Sequence, residues 1–345
     1  QLTVLTKREW NSLSEISNAS ISHFANISLL GFKPEKFKEL KRGPLEAVGA
    51  DIPFKEGELA IRCNFATVDE RLRLIDRRAG RNSFGLDKIA KEINKLEVEV
   101  DFTFARTFEH RACLIFHENL GEKVTTNDPF KPGRKVRKIR ALSKDSAQTA
   151  KILQLFVEKT YELMREHLIN KKRVEKGLLP ANYLLLREAG NKLFALPDFE
   201  KEHKLKGVCI AENGVVKATC LLAGFDCITV PEKSFGKTLD FIFSSIEDCL
   251  PAYDLVYVHI KEPDKYAHDG DFEGKKKAIE KIDEKFEFFI GFEGKVVVTC
   301  DHITSTFHKQ HMPGKVPLLV YGKGKDKAKT FDEFSAKRGS LKLKT

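Results

Sequence analysis

Acidic and imidazole side chains follow two apolar runs of the sequence at short spacing. The first pair, Asp264 and His268, lies four residues apart just after the run DLVYVHI. The second pair, Asp301 and His302, follows the run KVVVTC directly, and His311 lies nine residues beyond it. Carboxylates and imidazoles suit borderline divalent metals. Each pair alone also fits an ordinary turn or helix cap, but the set together predicts a metal site.

The elements around these residues predict a sheet that would bring them together. The apolar runs at 254–260 and 295–300 are rich in β-branched residues, which is typical of strands covered on both faces. Between them, apolar residues recur at helical spacing from Ala278 to Phe289. Residues 206–230 add two strand-like runs around a short helical stretch. This alternation predicts a parallel sheet, which presents ligands at the carboxyl ends of its strands.

The region before this sheet differs in character. Residues 42–142 contain short strand-like pieces separated by basic turns, and 145–167 predict a long amphipathic helix with Ser143 or Asp145 as its N-cap. We therefore expect an α/β protein with two domains. The predicted bounds are a core domain formed by 1–41 and 173–345, and an inserted domain formed by 42–172.

The composition is that of a folded globular protein. Hydrophobic residues make up 41% and charged residues 32% of the 345 residues, and the net charge is +10. The densest basic run, KPGRKVRKIR from Lys131, lacks the interleaved aromatics of a single-strand binding surface, so we expect no nucleic-acid partner. No apolar run approaches the roughly 20 residues of a bilayer span, so we expect no membrane partner. Seven scattered cysteines without a CxxC pair favour a cytoplasmic location.

The order DxxxH, DH and a final His before Val-Pro resembles the alkaline phosphatase superfamily. The motifs GPLEAVGADI, RCNFATVD, DRRAGR, EHRACLIF, PANYLLLREAG and VHIKEPDKYAHDGDFEGK narrow the resemblance to the archaeal branch of the 2,3-bisphosphoglycerate-independent phosphoglycerate mutases. The resemblance implies an alkaline-phosphatase-like, mainly parallel sheet flanked by helices, with a smaller inserted α+β domain. It also implies metal-dependent interconversion of 3-phosphoglycerate and 2-phosphoglycerate in glycolysis and gluconeogenesis. The reaction would use a phosphoserine intermediate and no 2,3-bisphosphoglycerate.

The same resemblance assigns roles to the metal-site residues. It implies that Asp264, His268 and His311 hold one divalent ion, while Asp301 and His302 hold a second. Manganese, cobalt, magnesium or zinc would serve. Counting back from Leu30-Gly31-Phe32 aligns Ser22 with the family's nucleophile. A serine hydroxyl is a poor nucleophile near neutral pH, and a divalent ion lowers its pKa.

Arginine binds carboxylates and phosphates through a bidentate fork, which suits a small phosphorylated acid as substrate. Several basic residues of the inserted domain lie in the family-like motifs, together with one acid. For Arg62, Arg81 and Arg111 the alternative is an ordinary surface ion pair. The candidate substrate-binding residues are, with the first two favoured, Asp76, Arg77, Arg62, Arg81, Arg111 and Lys233.

Some positions depart from the family pattern. Ile21, His23 and Asn26 replace the glycine, acid and histidine around the nucleophile, and no strand ending in Asp-Gly precedes Ser22 in this numbering. Pro231–Gly236 replaces a Gly-Ala-Thr-Gly stretch. One hypothesis is a mutase whose first segment lies outside the numbering. The other is a diverged paralogue that acts as a phosphatase or another phosphotransferase, or an inactive metal- and ligand-binding protein. The native metal and the oligomeric state stay open.

Overall fold

The computed structural model describes residues 22–322 and 324–341. The α-helices are α1 (Ser22–Leu29), α2 (Arg42–Gly49), α3 (Leu86–Ile93), α4 (Ala147–Arg165), α5 (Leu168–Glu175), α6 (Phe199–His203), α7 (Val215–Leu222), α8 (Phe235–Cys249), α9 (Glu262–Asp269), α10 (Phe272–Lys285) and α11 (Glu333–Arg338). The strands are β1 (Leu59–Val68), β2 (Leu74–Asp76), β3 (Phe102–Phe108), β4 (Arg111–Phe116), β5 (Tyr183–Gly190), β6 (Gly207–Ala211), β7 (Asp226–Thr229), β8 (Leu255–Val258), β9 (Val296–Val298), β10 (Ile303–Ser305), β11 (Gln310–Met312) and β12 (Leu319–Tyr321).

The chain divides into two compact units. The described parts of 1–38, 197–212 and 223–345 form the first unit, and residues 39–196 with 213–222 form the second. This division differs from the predicted bounds, which returned the chain to the core at residue 173. The physical reason is strand pairing, because β5 runs antiparallel to β1 and so stays in the second unit. The segment that carries α7 also packs there, against α2.

The second unit is built on a five-stranded sheet that is antiparallel at each pairing described for β1 to β5. Strand β1 lies inside it, paired with β4 on one side and β5 on the other, and all ten of its residues are buried. Alternate side chains of a strand point to opposite faces. Leu59, Ile61, Cys63 and Phe65 face the main core with α3 and α4. The opposite face of β1 is covered by α2.

Helix α2 lies unusually close to this sheet because of Gly43. A Cβ atom at Gly43 would stand 2.0 Å from the carbonyl oxygen of Ala60, far inside van der Waals contact. Glycine therefore allows the helix to approach β1 directly. This close approach positions Arg42 and Glu46 of α2 over the sheet face that also carries Arg62.

The first unit contains the predicted parallel sheet, with strand order β7-β6-β8. Strands β7 and β8 both run parallel to β6, which confirms the parallel pairing predicted for this region. Helix α8 packs on β6 and β8 through Ile242, Phe243 and Ile246. These strands place the chain segments that follow them at one edge of the sheet.

Strand β9 differs from the sequence-based expectation. It pairs antiparallel with β12, Val298 opposite Leu319 and Val296 opposite Tyr321, in a separate two-stranded sheet. A strand covered on both faces was expected from the run of valines. Instead Val297 is 59% exposed, because β9 alternates between a covered and an open face.

Helix α4 is the long amphipathic helix predicted at 145–167. It begins at Ala147, after a 3-10 turn at Lys144–Ser146, and neither Ser143 nor Asp145 caps α4 itself. Its buried face includes Phe156, whose ring lies 6.0 Å from Phe104 and packs into the core of the second unit. Across the described residues, no helix combines the length and apolar character needed to cross a bilayer.

His110 of the second unit makes the stability of the protein depend on pH. It is buried, and burial together with Arg111, Arg81, Arg62 and Arg78 holds its pKa well below the usual value. Below a pH of about 6.5 the unfolded chain takes up a proton at this residue while the folded protein does not. The contribution of His110 to stability is therefore complete above that pH and is lost as the pH falls.

We expect the wild-type protein to lose up to about 1.4 kcal/mol more unfolding free energy than His110→Gln between about pH 7.5 and 5.5. Urea denaturation followed by circular dichroism at the two pH values measures this difference. Equal losses in the two proteins would show that His110 is protonated in the folded state.

Candidate functional site

Local structure explains how the predicted ligands of the first unit meet. Helix α9 begins two residues before Asp264 and ends at Asp269, and its C-cap Gly270 adopts φ 78°. Asp264 and His268 are four residues apart on α9, so they lie on the same helix face. Strands β10 and β11 form a short antiparallel hairpin in which His311 lies opposite Thr304. The hairpin therefore brings His311 to the acid and histidine of α9.

The donor atoms of the first predicted ligand set converge. The Nε2 atoms of His268 and His311 lie 3.5 and 3.3 Å from Oδ1 of Asp264, and 3.0 Å from each other. Nδ1 of His268 lies 3.0 Å from the carbonyl oxygen of Lys309, to which it can only donate a proton. In the neutral ring Nε2 then carries a lone pair, as a metal ligand requires.

The second predicted ligand set lies against the first. His302 follows β9, and its Nε2 atom is 3.2 Å from Oδ2 of Asp301. Its ring stacks on that of His311 with centroids 3.7 Å apart. One ligand atom from each of Asp264, His302 and His311 lies within 4.8 Å of the others. All five predicted ligands are thus connected by contacts in the described structure.

Ser22 lies at this cluster, at the first residue of α1. Its Oγ atom is 3.2 Å from Nε2 of His302. Asn26, one turn along the helix, donates to the backbone oxygen of Ser22 at 2.7 Å and to Oδ2 of Asp301 at 3.4 Å. The hydroxyl of Tyr257 in turn donates to Oδ1 of Asn26 at 2.5 Å. The asparagine that departs from the family pattern therefore links the candidate nucleophile to a candidate ligand.

The other two departures from the family pattern near Ser22 are His23 and Ile21. His23 is completely buried and its ring centroid lies 4.0 Å from that of Phe24. Ile21 lies outside the described residues. The replacement of the family's acid by His23 therefore falls on a residue of the core.

Electrostatics favour neutral imidazoles at both ligand sets and an ionised carboxylate at Asp264. Burial lowers the pKa of His302 to about 4 and also lowers the pKa of His311. Burial alone would raise the pKa of Asp264, but Lys261 and His311 hold it well below its usual value. Burial raises the pKa of Asp301. Neutral imidazole beside carboxylate is the donor set that divalent metals bind.

Two polar residues of this cluster were not predicted from the sequence. Lys261, just after β8, has its Nζ atom 3.5 Å from Oδ2 of Asp264. Thr304 donates from Oγ1 to Oδ1 of Asp264 at 2.8 Å. The lysine lies inside the motif VHIKEPDKYAHDGD and could have been noticed as a basic residue at a strand end. No signal in the sequence marks the threonine.

Basic residues of the second unit form a buried cluster under α2. Arg62 of β1 and Arg111 of β4 are 8% and 6% exposed, on the sheet face that α2 covers. Burial would raise the pKa of Glu46, but Arg111 and Arg62 hold it below its usual value. Among the described residues, Arg62 Nη1 and Arg42 Nε find no hydrogen-bond partner. Buried donors without partners are uncommon in folded proteins, and here they favour an anionic ligand.

The remaining candidates of the second unit have structural partners. Oδ1 of Asp76 accepts from the backbone nitrogens of Arg78 and Gly80, at 2.7 and 3.1 Å, so Asp76 shapes the turn after β2. Arg77 binds Asp128 through Nε at 3.2 and 3.1 Å and through Nη2 at 2.5 Å. Asp128 is fully buried and was not anticipated from the sequence. Arg81 closes the same turn, with φ 53°.

Lys233 lies in the first unit, in the segment between β7 and α8. Its Nζ atom is 5.9 Å from the ring centroid of Phe241. A cation above an aromatic face at this distance is a weak stabilising contact. The structure thus gives Lys233 a packing partner, and its predicted contact with substrate stays a prediction.

The chain has relatives among known proteins. A family model described as 2,3-bisphosphoglycerate-independent phosphoglycerate mutase matches residues 17–170. Two relatives with that name, from Methanosphaera stadtmanae and Methanothermobacter thermautotrophicus, are each 37% identical to this chain. Each alignment covers 93% of this chain and 81% of the relative.

Solved structures give a consistent result. A cofactor-independent phosphoglycerate mutase from Thermoplasma acidophilum is 31% identical, with a TM-score of 0.53 over 92% of this chain and 81% of that one. A protein from Pyrococcus horikoshii is 25% identical, with a TM-score of 0.66 over 98% of this chain and 87% of that one. The overall α/β architecture is therefore shared with these proteins along most of the chain.

Proposed function

Since the chain belongs to the 2,3-bisphosphoglycerate-independent phosphoglycerate mutase family, we propose that it interconverts 3-phosphoglycerate and 2-phosphoglycerate. It is an isomerase that needs no 2,3-bisphosphoglycerate. The observation that carries this function is the position of Ser22, whose Oγ atom lies 3.2 Å from His302 within the carboxylate and imidazole cluster. A hydroxyl there can receive a phosphoryl group and return it to a different oxygen.

The residues present fit two divalent ions. Asp264, His268 and His311 would hold one ion, because the Nε2 atoms of both histidines converge on Oδ1 of the carboxylate. Asp301 and His302 would hold the other. Manganese, cobalt, magnesium or zinc suit these ligands. When bound, such ions lower the pKa of a coordinated hydroxyl and neutralise phosphate charge during transfer.

The chain's own residues would carry out the transfer as follows. Ser22 Oγ attacks phosphorus, so that the bond from Oγ to phosphorus forms while the bond to the 3-oxygen of the substrate breaks. The proton of the serine hydroxyl passes to the departing 3-oxygen. The 2-oxygen of the freed glycerate then bonds to phosphorus as the bond to Ser22 Oγ breaks, and the proton of the 2-hydroxyl returns to Oγ. In the resting site the serine hydroxyl lies within hydrogen-bond distance of Nε2 of His302, at 3.2 Å. Lys261 supplies positive charge next to Asp264, where phosphate oxygens would approach.

Substrate recognition is proposed for the basic residues of the second unit. Arg62 and Arg111 have buried guanidinium groups beside Glu46, and among the described residues Nη1 of Arg62 has no hydrogen-bond partner, which suits a carboxylate or a phosphate. Arg77 is held rigidly by Asp128, so its remaining N–H groups are oriented in advance. The other proposed contributors to substrate binding are Asp76, Arg81 and Lys233.

An enolase-coupled assay tests this function. With 3-phosphoglycerate and added Mn²⁺ or Co²⁺ we expect formation of 2-phosphoglycerate. A chelator should abolish turnover, and restoring the ion should recover it, because the ligand set supplies no other strong electrophile. Release of free phosphate without 2-phosphoglycerate would indicate a phosphatase. Absence of both products with every candidate ion would indicate a binding protein.

A further inference from the structure

Thr304 of β10 contacts two of the candidate ligands at once. It is buried, with 6% of its surface exposed. Its Oγ1 atom lies 2.8 Å from Oδ1 of Asp264 and 3.1 Å from Nδ1 of His302. These two residues belong to different ligand sets, so a single hydroxyl connects both sets.

The direction of these hydrogen bonds follows from the donors available. An ionised carboxylate only accepts, so the hydroxyl of Thr304 must donate its one proton to Asp264. The same oxygen can then interact with His302 only as an acceptor, which requires a proton on Nδ1. A neutral imidazole carries one such proton, and its Nε2 atom is left with a lone pair. That atom is the one that lies near Ser22 and Asp301.

We propose that Thr304 is a positioning residue, which fixes His302 in its Nδ1–H tautomer and holds it in register with Asp264. The inference rests on the proposed two-ion site, because it concerns how that site is oriented. Hydrogen bonds of this kind raise the affinity of a metal site by fixing the tautomer and the ring orientation. Thr304 would therefore strengthen binding at both ion positions.

A second histidine of the site, His268, is oriented in a different way from His302. Nδ1 of His268 is oriented by the backbone oxygen of Lys309, which side-chain substitution leaves in place. His302 is instead oriented by a side chain, which can be removed. Thr304→Val replaces the hydroxyl by a methyl group and keeps a β-branched side chain in the strand. Thr304→Ser keeps the hydroxyl and removes the methyl group, so it is the matched control.

The first measurement needs neither metal nor turnover. Long-range proton–nitrogen NMR on the metal-free protein reports which ring nitrogen of His302 carries the proton, and His302→Gln assigns the signal. We expect the Nδ1–H tautomer in the wild type and in Thr304→Ser, and a population of the Nε2–H tautomer in Thr304→Val. An Nε2–H ring in the wild type, or an unchanged tautomer in Thr304→Val, would overturn the proposal.

The second measurement is a Co²⁺ titration of the full chain followed by visible absorption. We expect Thr304→Val to bind Co²⁺ about 10- to 100-fold more weakly than the wild type, and Thr304→Ser to bind almost as tightly. Equal affinity of wild type and Thr304→Val would overturn the positioning role. A protein that shows the expected tautomer and Co²⁺ affinities but forms no 2-phosphoglycerate would contradict the proposed function and leave this inference standing.

Discussion

Replacing Ser22 with alanine is expected to lower the conversion of 3-phosphoglycerate by about 10⁴-fold or more. The alanine methyl group cannot form a bond to phosphorus, and among the hydrogen bonds described no other hydroxyl contacts Nε2 of His302. The enolase-coupled assay measures the loss directly. Metal affinity should change much less than turnover, since the five proposed ligands stay in place.

The matched control for this experiment is Ser28→Ala, which removes a hydroxyl from the same helix α1. It should retain nearly full turnover. Circular dichroism of both variants checks that α1 and its surroundings still fold. Turnover that survives Ser22→Ala at the wild-type rate would assign the acceptor role to another group or to water.

Asp264→Asn is expected to remove one of the two proposed ions and to reduce turnover by about 10³-fold. Oδ1 of Asp264 lies within 3.5 Å of both histidine Nε2 atoms, so it is the shared centre of the first ligand set. A neutral amide cannot balance the charge of a divalent ion. Metal analysis after dialysis, together with the coupled assay, measures both effects.

Asp269→Asn serves as the control, because Asp269 is an exposed carboxylate on the same helix α9. It should keep its metal content and its turnover. Full metal content in Asp264→Asn would place the first ion elsewhere. Reduced content in both variants would point to a general effect on α9 rather than to a ligand.

The features that the sequence predicted well depend on local periodicity. Asp264 and His268 are four residues apart on one helix, so their common face follows from helix geometry alone. The parallel pairing of β6 with β7 and β8 follows from alternating strands and helices. Asp271 immediately before α10 accepts from the backbone nitrogen of Gly274 at 2.8 Å and so caps this helix, as an acid at a helix start commonly does.

The features that were missed depend on contacts between distant parts of the chain. The run of valines in β9 did not reveal its antiparallel partner, because an apolar run fits several kinds of strand. The second unit includes the chain up to residue 196 because β5 pairs with β1, more than a hundred residues away in sequence. The contacts of Thr304 with Asp264 and of Tyr257 with Asn26 likewise join separate segments.

The arginines illustrate the same limit. The family-like motifs pointed to Arg62 and Arg77, but not to the buried acids beside them, Glu46 and Asp128. From the sequence, all of these arginine side chains are equally basic. The structure distinguishes an arginine that already pairs with a carboxylate from one whose donors have no hydrogen-bond partner among the described residues. That distinction decides which guanidinium groups are available to an anionic ligand.

The hairpin of β10 and β11 contains only three residue pairs. A two-stranded ladder of this size is not stable in water by itself. Its attachments to neighbouring helices include the hydrogen bonds from His268 to Lys309 and from Lys275 Nζ to the backbone oxygen of Thr304 at 2.8 Å. Ordering of this hairpin and assembly of the candidate metal site would thus be one cooperative event. The free energy of ion binding at the site would then contribute to the folding free energy of the hairpin.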